Sequence, residues 1–152
     1  MDKHEDAIVC FDKAIEIDPK YIPAWGSKET TLGRLGKHED AIVCFDKIIE
    51  IDPKYIPAWG SKGIELSIMG KHEDAIVCFD KATEIDPKHI PALSDKGIEL
   101  SIMGKHEDAI ECFDKIIEID TKHGRTEVNT AIAWKNKGAT LRQMGKHEDA
   151  IE

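Results

Sequence analysis

The string Lys-His-Glu-Asp-Ala-Ile begins at Lys3, Lys37, Lys71, Lys105 and Lys146, with spacings of 34, 34, 34 and 41 residues. A period of this length restricts the fold more than any other feature, because it marks stacked supersecondary units. Residues 37–70 and 71–104 are identical at 28 of 34 positions. A domain whose packing is unique everywhere has no use for near-copies. A one-dimensional array does, since every unit meets the same neighbours.

Each unit reads as two helices. The first runs from about Pro57 to Met69, opened by a proline that has no amide proton to lose in the first turn. Pro23 and Pro91 repeat the device, and Gly36, Gly70, Gly104 and Gly145 stand where a helix stops. The second runs from about His72 to Ile85, with Glu73 and Asp74 in its first turn, where the helix dipole favours anions. Asp86-Pro87 closes it. Ala75, Ile76, Phe79 and Ala82 form one apolar stripe. Trp59, Gly63 and Leu66 form the facing one, with the glycine expected to let the two backbones approach closely. A large buried side chain contributes about 1.5–3 kcal/mol, too little for a lone hairpin to offset its ordering entropy. Stacking is obligatory, and about eight full helices plus a stub, without strands, are expected.

These residues resemble the tetratricopeptide-repeat family. The early bulky position holds Trp25, Trp59, Leu93 and Trp134, and the small one Gly63, Gly97 and Gly138, with Glu29 as exception. The second-helix alanine is Ala7, Ala41, Ala75, Ala109 and Ala150; the aromatic is Phe11, Phe45, Phe79 and Phe113; the closing proline is Pro19, Pro53 and Pro87. The resemblance implies an all-α solenoid, a right-handed superhelix of antiparallel helix pairs. The array divides into a second helix at 3–19, full repeats at 22–53, 56–87 and 90–121, a first helix with a seven-residue insertion at 124–145, and the start of another helix at 146–152. Departures from the family pattern are Lys28, Lys62, Lys96 and Lys137 in place of leucine and His4, His38, His72, His106 and His147 in place of tyrosine. Ile48 and Ile116 replace a small residue, and Glu29 puts tight packing of the first complete pair in doubt. Lys62–Glu65 and Lys96–Glu99 stand three apart, close enough to pair on one helix. The insertion, Gly124 to Thr130, is expected to lengthen the last first-helix, from about Thr126 to Met144.

Charge excludes several functions. Asp and Glu outnumber Lys and Arg by 30 to 21, a net charge of −9. Tracking a nucleic-acid backbone or an anionic membrane needs clustered cations. No apolar run approaches the roughly 20 residues of a spanning helix, and the first residues do not resemble a secretion signal, so a cytoplasmic location is expected. Cys10, Cys44, Cys78 and Cys112 recur every 34 residues. Packed helices hold equivalent atoms roughly 10 Å apart, beyond the approximately 7 Å a disulfide tolerates, so free, buried or half-buried thiols are expected. The histidines share the period and make no metal site. Lys-His-Glu-Asp carries acids beside a base, but a catalytic centre is one constellation in one pocket, and a string copied in every unit serves the unit. No enzymatic activity, metal or cofactor is expected.

The other face of each first helix is the informative surface. Gly60, Ile64, Ser67 and Ile68 lie along it, and Ser94, Ile98, Ser101 and Ile102 repeat the pattern. By resemblance to the family they face the concave groove in which ligand peptides lie, isoleucines supplying an apolar floor and Gly and Ser opening space. The alternative is that the isoleucines are buried between adjacent first helices. The equivalent places hold Gly26, Thr30, Gly33 and Arg34 in the first complete pair, and Lys135, Ala139, Arg142 and Gln143 in the last. Lys135, Asn136 and Arg142 loosely resemble the family's grip on a peptide's terminal carboxylate. The expected function is therefore a scaffold binding a peptide or helical segment of another protein. The alternative is head-to-tail self-association, in which a final first-helix covers Ala7, Phe11 and Ala14 of another copy.

Overall fold

Three glycine turns repeat one geometry in the computed structural model, which describes residues 3–122 and 128–145. Gly36, Gly70 and Gly104 have φ of 70°, 73° and 75°, a region a side chain makes costly. At each, two hydrogen bonds close the preceding helix. Gly70 N donates to Ser67 O at 2.9 Å and Lys71 N to Leu66 O at 2.9 Å, and the same pair recurs at Gly36 and Gly104. This is the 5→2 and 6→1 pattern that satisfies the last carbonyls.

The helices are α1 (Lys3–Ile17), α2 (Ile22–Arg34), α3 (His38–Ile51), α4 (Ile56–Ile68), α5 (His72–Ile85), α6 (Ile90–Ile102), α7 (His106–Lys122) and α8 (Val128–Gln143), with these turns after α2, α4 and α6. Among the described residues there is no strand. Each helix packs on its neighbours in the chain, and α6 also touches the first helices on either side, α4 and α8. The expected stub at 146–152 lies outside the described residues.

Phe79 and Phe113 are 1% exposed, and they explain the glycines facing them. A Cβ on Gly63 would lie 2.5 Å from the Phe79 ring, and one on Gly97 would lie 2.7 Å from the Phe113 ring. The glycine admits the ring of the second helix, which takes the space a Cβ would occupy. Phe79 packs with Leu66, Ala75 and Cys78 in one cluster. Where Glu29 replaces the glycine, the core divides. Leu32, Ala41 and Cys44 form one cluster, and Phe45 lies in another with Ile48 and Ala58.

The pairing expected within helices is absent, and a longer-range one replaces it. Lys28, Lys62, Lys96 and Lys137 reach back across the junction to Asp12, Asp46, Asp80 and Asp114, at 2.6, 2.5, 2.5 and 2.8 Å. The lysine bridges the second helix of one unit to the first helix of the next, so the ion pair fixes how units meet. Trp25 and Trp59 tie the same junction, their Nε1 donating to Pro19 O at 2.9 Å and Pro53 O at 3.0 Å.

The last junction differs because Thr121 stands where Pro53 and Pro87 end their helices. With no proline to stop it, α7 runs 17 residues against 14 for α3 and α5. Asp120 is thereby buried, and its Oδ2 accepts from Thr130 Oγ1 at 2.6 Å. α8 has 16 residues where α4 and α6 have 13, longer than its siblings as expected. The expected start near Thr126 falls at 123–127, outside the described residues.

Candidate functional site

The exposed face of the first helices carries the isoleucines. Ile64 and Ile68 on α4 are 46% and 59% exposed, and Ile98 and Ile102 on α6 are 38% and 58%. Burial between adjacent first helices, the alternative weighed from the sequence, does not describe these values. Gly60 faces open space, with nothing within 4 Å of an added Cβ. Ser94 is half-buried.

Two recesses lie between neighbouring first helices. One, between α2 and α4, is lined by Glu29, Thr30, Gly33, Arg34, Ser61, Ile64 and Glu65 over the Phe45 ring. The other, between α6 and α8, is lined by Ile98, Ser101, Ile102, Asn136, Ala139, Thr140 and Gln143 over Phe113. Asn136 and Ala139 thus share a recess with the α6 isoleucines, whereas Lys135 and Arg142 are exposed.

The serines do more than open space. Ser67 Oγ donates to Glu99 Oε1 at 2.5 Å. Ser101 Oγ donates to Gln143 Oε1 at 3.0 Å and lies 3.1 Å from Thr140 Oγ1. Each serine therefore joins its first helix to the next one. The histidines take part as well. His38 Nδ1 is 2.6 Å from Glu65 Oε2, and His72 Nδ1 is 2.7 Å from Glu99 Oε2. Sequence reading missed these glutamates. The signal was present in the constant offset of 27 residues from His38 to Glu65 and from His72 to Glu99. The series breaks at His106, whose Nδ1 is buried with no hydrogen-bond partner among the described residues. Thr140 stands where the glutamate would be.

Burial pushes the Glu29 carboxyl above its ordinary range, the Thr30 hydroxyl partly opposes this, and the nearby Glu65 adds to it. Burial followed by Glu99 does the same to Asp95, partly opposed by His89. Cys44, Cys78 and Cys112 are buried free thiols. Burial raises Cys44 and Cys78 to about 11, which leaves little reactive thiolate. Cys10 is exposed. Among the described residues no group of three or more His, Cys, Asp or Glu could hold a metal ion, and no helix is long and apolar enough to cross a membrane.

Stacked helical hairpins with an open face of first helices define an α-solenoid. Tetratricopeptide-repeat family models match residues 1–21 with 30–55, 56–89 and 91–152. The chain belongs to the tetratricopeptide-repeat family. The crystal structure of MamA protein matches with a TM-score of 0.82 at 23% identity, over 98% of this chain and 78% of that one. MamA 41-end from Desulfovibrio magneticus RS-1 matches at 0.81 and 18% identity, over 99% and 81%. YrrB matches at 0.77 and 22% identity, over 97% and 73%. These likenesses show the fold. No curated protein sequence matches the chain significantly.

Proposed function

We propose that the chain is an interaction scaffold that binds an extended or helical segment of another protein along the face made by α2, α4, α6 and α8. The observation that carries this is the double row of exposed isoleucines, Ile64 and Ile68 beside Ile98 and Ile102. Contiguous exposed apolar area marks interaction sites, and here it borders recesses that can take side chains. Gly60, Ser67, Ser94 and Ser101 flank the rows, and Asn136 and Ala139 continue the surface onto α8, with Lys135 and Arg142 at its edge. The structural relative YrrB is described as a tetratricopeptide-repeat protein with an unusual peptide-binding site, which agrees with a peptide ligand on this architecture. Enzymatic activity forms no part of the proposal, and free thiols throughout fit work in a reducing compartment such as the cytoplasm.

A second reading is head-to-tail self-association. It is favoured by α1, which buries no residue and leaves Ala7, Phe11 and Ala14 half-buried. Two variants separate the readings. Ile64→Asp with Ile98→Asp abolishes selection of binders from a displayed library of random peptides if the face receives a ligand. If the chain associates head to tail, Phe11→Asp changes oligomer size by light scattering, whereas the isoleucine variant leaves it unchanged. Unaltered binder selection would contradict the ligand groove.

A further inference from the structure

Resting on that groove assignment, we propose that the occupant is a cationic segment whose Lys or Arg side chains reach Glu29 and Asp95 while its apolar residues lie on the isoleucines. Glu29 lines the α2–α4 recess and is half-buried there. It accepts from the Thr30 hydroxyl at 2.7 Å. Asp95 is also half-buried. It occupies the repeat position of Ser61 and Asn136, which line the two recesses. By repeat position Asp95 lies on the α4 side of α6, near Glu99.

Elsewhere in the chain acids at equivalent positions are matched by lysine, from Asp12–Lys28 through Asp114–Lys137. Among the described residues neither Glu29 nor Asp95 has a Lys or Arg within ion-pair distance, and the one opposing neighbour of Asp95, His89, offsets its burial only in part. Their acidic neighbours Glu65 and Glu99 are already engaged by His38 and His72. Arg34 borders the α2–α4 recess, and Lys135 and Arg142 lie on α8; none of the three neutralises these carboxylates. A half-buried carboxylate without a lysine or arginine partner is costly, and burial raises both groups. A ligand cation supplies the missing partner as a charge-assisted hydrogen bond.

α2 and α6 are two first-helix steps apart, about 20 Å at roughly 10 Å per step. An extended chain covers that in about six residues. The occupant then carries two cations about six residues apart with apolar residues between.

The test uses fluorescence anisotropy with a labelled leucine-rich peptide carrying two lysines at that separation, and its counterpart with glutamate in place of lysine. The wild-type chain binds the lysine peptide about tenfold more tightly or better. Glu29→Gln with Asp95→Asn removes that preference and raises the melting temperature, a combination a purely structural role for these acids does not produce. Glu50→Gln with Glu84→Gln, the same charge change at exposed sites beside Lys47 and Lys81, leaves the preference intact. A preference that survives neutralisation of Glu29 and Asp95, or falls equally in the Glu50 and Glu84 variant, overturns the proposal. Ile64→Ser with Ile98→Ser tells the two assignments apart. If it weakens both peptides while the acid variant weakens neither, the groove stands and the cationic occupant falls. If it weakens neither peptide, the groove itself falls.

Discussion

The Phe79 ring is 1% exposed and lies where a Cβ on Gly63 would come within 2.5 Å, so one side chain holds two helices together. Phe79→Ala should cost about 3–5 kcal/mol in chemical denaturation; a loss under about 1 kcal/mol would remove the ring from the core. The ring, its glycine and the alanines around it were legible in the sequence because apolar periodicity reports one face of a helix. The partners of the charged residues were not. Lys62 could reach Glu65 on its own helix, yet it pairs with Asp46 on the helix before. Local spacing carries no information about what a neighbouring unit places opposite. Once helices stack, Asp46 is the nearer acid, and Glu65 turns to His38.

Helices α7 and α8 show how one lost proline, at Thr121, goes with a reshaped junction while the others keep their pattern. Loss of the proline at Thr121 lengthens α7, and α8 begins three residues before the start of α6 would place it. That the last first-helix would be longer than its siblings could be read from the insertion's length, about two turns, and Val128–Thr130 of that insertion are helical. That Asp120 would be buried against Thr130 could not, since the same aspartate caps a turn in the earlier units. The change also leaves His106 without the glutamate that faces His72. Thr140→Glu should supply it, accepting from Ser101 as Glu99 accepts from Ser67. We expect a gain of about 1 kcal/mol in urea unfolding. A loss would mean that the altered path of α8 carries position 140 out of reach of His106.

The described residues form a row of units built with recurring devices: a glycine turn, a lysine reaching back to an aspartate and, at Gly63 and Gly97, a phenyl ring against a glycine. The period made this architecture legible, because nothing but a stack uses near-identical neighbours. The groove was legible only in part. The exposed isoleucines followed from helical spacing, whereas Glu29 and Asp95 read as ordinary surface acids until the recess around Glu29 and the half-burial of Asp95 were in view. If each hairpin depends only on its neighbours, one can be removed in register. Deleting residues 71–104 joins Gly70 to Lys105 and restores the sequence of every other turn. Circular dichroism with thermal melting should then show unchanged helicity per residue and a cooperative transition at a lower temperature. A chain that loses its helix or melts without cooperativity would contradict the stacked-unit account.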